Sequence, residues 1–130
     1  MALNVGEVRA KFNLVNPKNG QSITLDALVD TGATISVIGR DIAEVIGLKV
    51  DSKAVVYLAD DSSTEMDKVN TVEIQYKDRA TGNPILIGDY GIEPLMGQMV
   101  LEGLDLLVDC SRQLITFRPN SPAYTSYKLK

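Results

Sequence analysis

Residues 27–38 read Ala27-Leu28-Val29-Asp30-Thr31-Gly32-Ala33-Thr34-Ile35-Ser36-Val37-Ile38. One acid stands at the end of an apolar strand, a turn of small residues follows it, and more apolar residues lie beyond. An ionised carboxylate in such a place is costly unless hydrogen bonds or a catalytic task compensate for the lost water. Thr31 brings a hydroxyl to the turn, while Gly32 lets backbone approach closely and leaves N–H groups able to face the acid. On Asp30-Thr31-Gly32 alone, an ordinary turn in which Asp30 caps its own backbone is at least as good a reading.

Working outward, Val8, Ala10, Phe12 and Leu14 alternate with Arg9, Lys11 and Asn13, the period of a half-buried strand. Asn19-Gly20 suits a turn with positive φ, and Ile23, Leu25, Ala27 and Val29 alternate after it, so a β-hairpin delivers the chain into Asp30. On the far side, GRDIAEVIGL predicts a brief helix with Ile42, Val45 and Ile46 on one face and Gly47 as its stop. A second hairpin is predicted from Ala54 to Val69, with the polar tip DDSS at 60–63 and a return arm starting at Thr64. The strand Thr71 to Lys77 alternates cleanly, and ATGNP at 80–84 is read as a turn into PILIGDY. Leu95-Met96-Gly97 then leads to a short helical stretch near Gln98 to Glu102 and two strands, at 106–108 and 114–117. Met96 and Met99 beside Leu95 and Leu101 read as core.

The chain has 130 residues, long enough for one domain with a sizeable core. No repeat or linker divides residues 1–130, and residues 119–130 read as a loose tail or an edge strand awaiting a partner, with Tyr124 and Tyr127 beside Lys128 and Lys130. No apolar run suits a membrane span or a signal peptide, so the expected location is the cytoplasm with no membrane partner. Thirteen basic against seventeen acidic residues give −4, which argues against nucleic acid as a partner. Histidine is absent, which excludes Ser-His and Cys-His triads and His-ligated zinc. Cys110 stands alone, excluding intrachain disulfides and thiolate clusters. Proton chemistry in such a chain falls to carboxylates.

The longer pattern, apolar-apolar-Asp-Thr-Gly-Ala-x-x-Ser-Val-Ile, resembles the active-site segment of retropepsin-like aspartic proteases, the single-domain relatives of retroviral protease and pepsin. The hairpin at 54–69 lies where that family has its flap, and Leu95-Met96-Gly97 before a short helix is similar to its second apolar-apolar-Gly element. The likeness spans about residues 5–118. Two departures stand out: Gln98 follows Gly97 where retroviral members usually carry Arg, and the tip ADDSS lacks their glycine-rich flap sequence.

The resemblance implies a mainly β protein, a retropepsin-like closed β-barrel with one or two short helices, working as an aspartic endopeptidase on a peptide or protein substrate. It implies a homodimer in which Asp30 of each subunit supplies one half of a carboxylate dyad, with no metal or cofactor. Thr31 would brace the two loops across the axis, Gly32 would keep backbone close to the dyad, and Ala33 stands where pepsin-like sites often have Ser. Leu58, Ala59, Asp60, Asp61, Ser62 and Ser63 would form the flap over the substrate, and Leu95, Met96 and Gly97 the second element.

Competing assignments are plainer. Asp60-Asp61 fits no EF-hand spacing and reads as a solvated hairpin tip. Cys110 beside Ser111 lacks a histidine to activate it and reads as a small residue at a strand end. Asp105 and Asp109 do not repeat the Asp30 motif. The rival to an endopeptidase is a domain of the same fold that binds a peptide or assembles complexes without hydrolysis, and a third reading is a structural β-domain in which Asp30 is merely hydrogen-bonded.

Overall fold

The computed structural model describes residues 7–120. Strands β1 (Val8–Val15) and β2 (Ser22–Val29) pair antiparallel from Val8 opposite Val29 to Val15 opposite Ser22. The connection is closed by Asn16, whose N–H donates to the Gln21 carbonyl and whose carbonyl accepts from Gly20, both at 2.8 Å. Gly20 takes φ 76°, the left-handed conformation anticipated for it. Period-two alternation puts Val8, Phe12, Leu14, Leu25, Ala27 and Val29 into the core.

β3 (Ser36–Gly39) leads into helix α1 (Arg40–Val45), followed by β4 (Ser52–Tyr57), β5 (Ser63–Tyr76), β6 (Arg79–Gly88) and the two-residue β7 (Leu95–Met96). Helix α2 (Gln98–Gly103) and strands β8 (Leu106–Asp109) and β9 (Leu114–Phe117) complete the described chain. Neighbouring strands run β1-β2-β7-β3-β6-β5, and β5 pairs back onto β1 through Asn13–Gln75 to Val15–Glu73, so six strands form a ring. β4 hangs outside the ring on β5, and β8 with β9 makes a separate two-stranded sheet. The protein is mainly β with two short helices, and its strands form a ring with two appendages, not one barrel that takes in every strand. Phe12 packs tilted against Tyr76 and Tyr76 packs edge to face with Phe117, with ring centroids 5.4 and 5.8 Å apart, which fastens β9 to the ring. Among the described residues no helix is long and apolar enough to cross a membrane.

Four local expectations are corrected. The hairpin's return arm and the strand after it are one 14-residue strand, β5, whose pairing to β6 shifts register between Val69 and Val72. ATGNP is not a turn but part of β6, and the chain reverses at Lys77-Asp78, between paired Tyr76 and Arg79, with Lys77 at φ 54°. Pro84 is tolerated in that strand because it falls opposite the register shift, where the ladder does not call on its missing N–H. Val45 is 64% exposed: at 100° per residue it points about 200° away from buried Ala43, and Ala43 with Ile46 forms the inner face of α1. Met99 is likewise exposed, because α2 turns Val100 and Leu101 inward. The predicted tail at 119–130 lies outside the described residues from 121 onward.

Candidate active site

Asp30 follows the last residue of β2, and its backbone N–H donates to the Met96 carbonyl at 3.0 Å. Its Oδ1 accepts the Gly32 N–H at 2.9 Å, and its carbonyl accepts the Ala33 N–H at 3.2 Å. The carboxylate therefore does cap its own turn, and the cap aims it. A Cβ on Gly32 would sit 3.2 Å from that same Oδ1, so the glycine gives the carboxylate its room. Asp30 and Ala33 are half-buried, and Thr31 and Gly32 are exposed.

The second element is joined to this loop across more than sixty residues of sequence. β7 lies between β2 and β3, parallel to β2 with Leu28 opposite Leu95 and Val29 opposite Met96, and antiparallel to β3 with Val37 opposite Leu95. Gly97 then passes beneath the 33–35 arc so closely that a Cβ would lie 2.7 Å from the Ala33 oxygen and 2.8 Å from the Ile35 oxygen. The Gly97 N–H donates to Ser36 Oγ at 2.9 Å, the Gln98 N–H to the Ala33 carbonyl at 2.7 Å, and the Met99 N–H to the Thr34 carbonyl at 3.0 Å. Leu95, Met96 and Gly97 thus hold the loop that carries Asp30, and the small residue at 97 is required by backbone crowding.

One face of this junction is open. Leu28, two residues before Asp30, shares its side of the strand, and Leu28, Leu95 and Val37 lie in a half-buried row across β2, β7 and β3. The opposite faces of these strands, with Ala27, Val29, Met96 and Ile38, are buried in the core. Arg9, paired with Leu28, ends the row and forms ion pairs with Glu93, with Asp26 at 3.7 Å and with Glu7 at 3.6 Å. The hydrogen bond to Glu93 is the main cause of a raised Arg9 pKa. Leu28, Ser36 and Val37 belong to the sequence motif around the acid without a role assigned to them there; Arg9 was missed as a neighbour, since only the pairing of β1 with β2 places it beside Leu28.

The hairpin tip at Leu58–Ser63 is exposed and closes on itself: Leu58 donates to the Ser62 carbonyl at 2.8 Å and Asp61 to the Leu58 carbonyl at 3.0 Å. Asp60 Oδ1 accepts both the Ser62 hydroxyl at 2.5 Å and the Ser62 N–H at 3.0 Å, and these bonds hold its pKa below the ordinary value. Among the described residues no hydrogen bond or ion pair joins residues 58–63 to the Asp30 loop. Tyr57 and Leu58 are exposed on the outgoing arm and give the polar 60–63 turn an apolar flank.

Asp105 and Asp109 are engaged elsewhere. Asp105 forms a forked pair with Arg118 at 2.8 and 2.9 Å, and Asp109 accepts from Ser111 and Arg112 in the turn that exposes Cys110. Gln98, in place of arginine, donates to Glu102 within α2 at 3.1 Å. Among the described residues no three of the metal-ligating types are grouped to hold a metal ion. Cavities of about 620 and 440 Å³ lie beside Asn16, Lys18 and Asn70 and beside Arg40, Met66 and Asp67, and neither is lined by Asp30.

The arrangement is one carboxylate at the mouth of a backbone-braced loop, bordered by apolar side chains. Comparison with curated proteins finds no match to this chain. The family profile described as "Aspartyl protease" matches residues 14–102, from the end of β1 into α2, and so takes in both the Asp30 loop and the Gly97 element bonded to it. On that match, the chain belongs to a retropepsin-like aspartyl protease family.

Proposed function

We propose that the protein is an aspartic endopeptidase whose active unit is a homodimer with one Asp30 from each subunit. The observation that carries this reading is that a half-exposed Asp30 is aimed by Gly32 and Met96 while, among the described residues, no second carboxylate is bonded to it. A two-fold axis beside the loop supplies the missing acid, since a closed dimer brings the same residue of both copies to one point. Two carboxylates so placed share a proton, because like charges a few ångströms apart resist ionising together.

The ionised member takes a proton from water as the water oxygen bonds to the scissile carbonyl carbon, and the protonated member donates its proton to the carbonyl oxygen. The resulting gem-diol collapses as the C–N bond breaks and a proton passes to the leaving nitrogen. Thr31, exposed on the loop, braces its counterpart across the axis, and Ala33 lends its carbonyl to the Gln98 N–H. Leu28, Leu95 and Val37 offer an apolar floor to substrate side chains, with the 58–63 tip closing over an extended peptide.

Mixing subunits tests this. Wild type and Asp30→Asn are co-refolded in equal amounts, and initial rates on a peptide library are read by mass spectrometry. Random pairing leaves about one quarter of dimers with two acids, whereas a self-sufficient subunit retains about one half of the activity. Activity following the square of the wild-type fraction supports the shared dyad, a linear response removes it, and no cleavage by wild type favours the non-hydrolytic peptide-binding domain.

A further inference from the structure

We infer that Ser36 is a positioning residue for the Asp30 carboxylate, acting through its hydroxyl on Gly97. This deepens the peptidase reading and rests on it. Main-chain bonds join the two elements, among them Asp30 N–H to the Met96 carbonyl, Gln98 N–H to the Ala33 carbonyl and Met99 N–H to the Thr34 carbonyl. No substitution of a side chain deletes those. One further bond is different, since the Gly97 N–H ends on the Ser36 hydroxyl oxygen at 2.9 Å.

Ser36 is one of three buried polar or charged residues in the described chain and is 1% exposed, so no water replaces its oxygen readily. Its backbone is set by β3, in parallel register with Ile85 of β6, well inside the ring. Gly97 is adjacent in the chain to Met96, the residue whose carbonyl holds the Asp30 N–H. With the hydroxyl removed, a buried N–H is left without an acceptor, at a desolvation cost that the 95–98 segment relieves by moving. That segment is packed against the Ala33 and Ile35 oxygens, so it moves only by pushing the Asp30 loop. A dyad is sensitive to such a shift, because misplacement by about 1 Å costs on the order of a hundredfold in rate.

The test uses a pair of equal shape, Ser36→Thr and Ser36→Val, compared per folded dimer. Ser36→Thr keeps the hydroxyl and should keep kcat within about threefold; Ser36→Val should lose about tenfold to a hundredfold in kcat with KM little changed. The pH–kcat profile should move for Ser36→Val alone, since the separation of the two carboxylates sets how their titrations split. Equal kcat and equal profiles for the two variants would overturn the proposal, as would Ser36→Thr losing as much as Ser36→Val. If Ser36→Val does not fold, Ser36→Cys replaces it with a weaker acceptor, and wild-type kcat with an unmoved profile overturns the proposal equally. Wild-type protein that cleaves nothing sinks the peptidase reading itself, which sets that failure apart from this one.

Discussion

The N–H of Asp30 and the carbonyl of Met96 are 3.0 Å apart, so the acid's main chain is held by a strand that begins sixty-five residues later in the sequence. Its carboxylate accepts from Gly32 two residues on. One bond locates the residue and the other aims its carboxylate.

Asp30→Asn should therefore fold and dimerise like wild type, because the amide oxygen still accepts the Gly32 N–H. Cleavage should drop by at least about a thousandfold, since the proposed dyad loses its shared proton. Peptide mass spectrometry and a thermal melt on the same preparation read both outcomes, and equal cleavage by the two proteins would take Asp30 out of the mechanism.

Gly97→Ala should cost about 1–3 kcal/mol, the range for overpacking a close-packed site. The new methyl group meets backbone oxygens of Ala33 and Ile35, which cannot rotate away as a side chain could. Urea unfolding measures it; a midpoint equal to wild type would contradict the close passage of these segments.

Asp67 has its pKa lowered, first by the hydrogen bond from Arg40 at 2.7 Å and then by the one from Lys53. A carboxylate lowered in the folded state adds stability that is present above its unfolded pKa of about 3.9 and is lost as pH falls through the lower folded value. Wild type should thus lose stability more steeply than Asp67→Asn as pH falls below about 4, and the two should differ by a constant amount near neutrality. Urea midpoints taken along a pH series check the slope, and parallel curves would mean that the ion pair contributes nothing. The effect should be small, since both partners are partly solvated.

The tip at residues 58–63 is held by bonds among its own residues, so its amides should exchange early in the unliganded protein. A statine-type peptide, whose hydroxyl mimics the tetrahedral intermediate, should slow that exchange and stop cleavage together. Exchange at 58–63 that is slow from the outset and unchanged by the peptide would end the flap assignment.

Chelators should leave cleavage unchanged, as the proposed dyad needs no metal. Activity that is lost in chelator and restored by a divalent ion would place the chemistry on another set of residues.

Much of this architecture was legible because β-strands bury alternate residues. Phe12, Leu14, Leu25 and Ala27 declared both arms of the first hairpin, and Asn19-Gly20 its turn, through nearest-neighbour backbone preferences alone. The reversal at Lys77-Asp78 carried a weaker signal: the positive φ falls on Lys77, a residue type that seldom adopts it, and the turn-rich ATGNP drew the reading away. Pro84 could be placed in a strand only once the register shift opposite it was known. Val45 and Met99 misled because six-residue helices are too short for an apolar pattern to fix their rotation.

By itself, the sequence determined the mainly β class and the acid at the end of an apolar strand, since these depend on residue type and short-range spacing. Only the tertiary structure decided that Gly97 passes beneath Ala33 and Ile35, that Met96 holds the Asp30 backbone, that Ser36 closes the junction, and that Leu28, Leu95 and Val37 share a face with the acid. Those relationships join residues far apart in the chain, and their geometry follows from which strands pair across the ring. Local preferences do not encode such pairing, because it is chosen by the burial of the whole core at once.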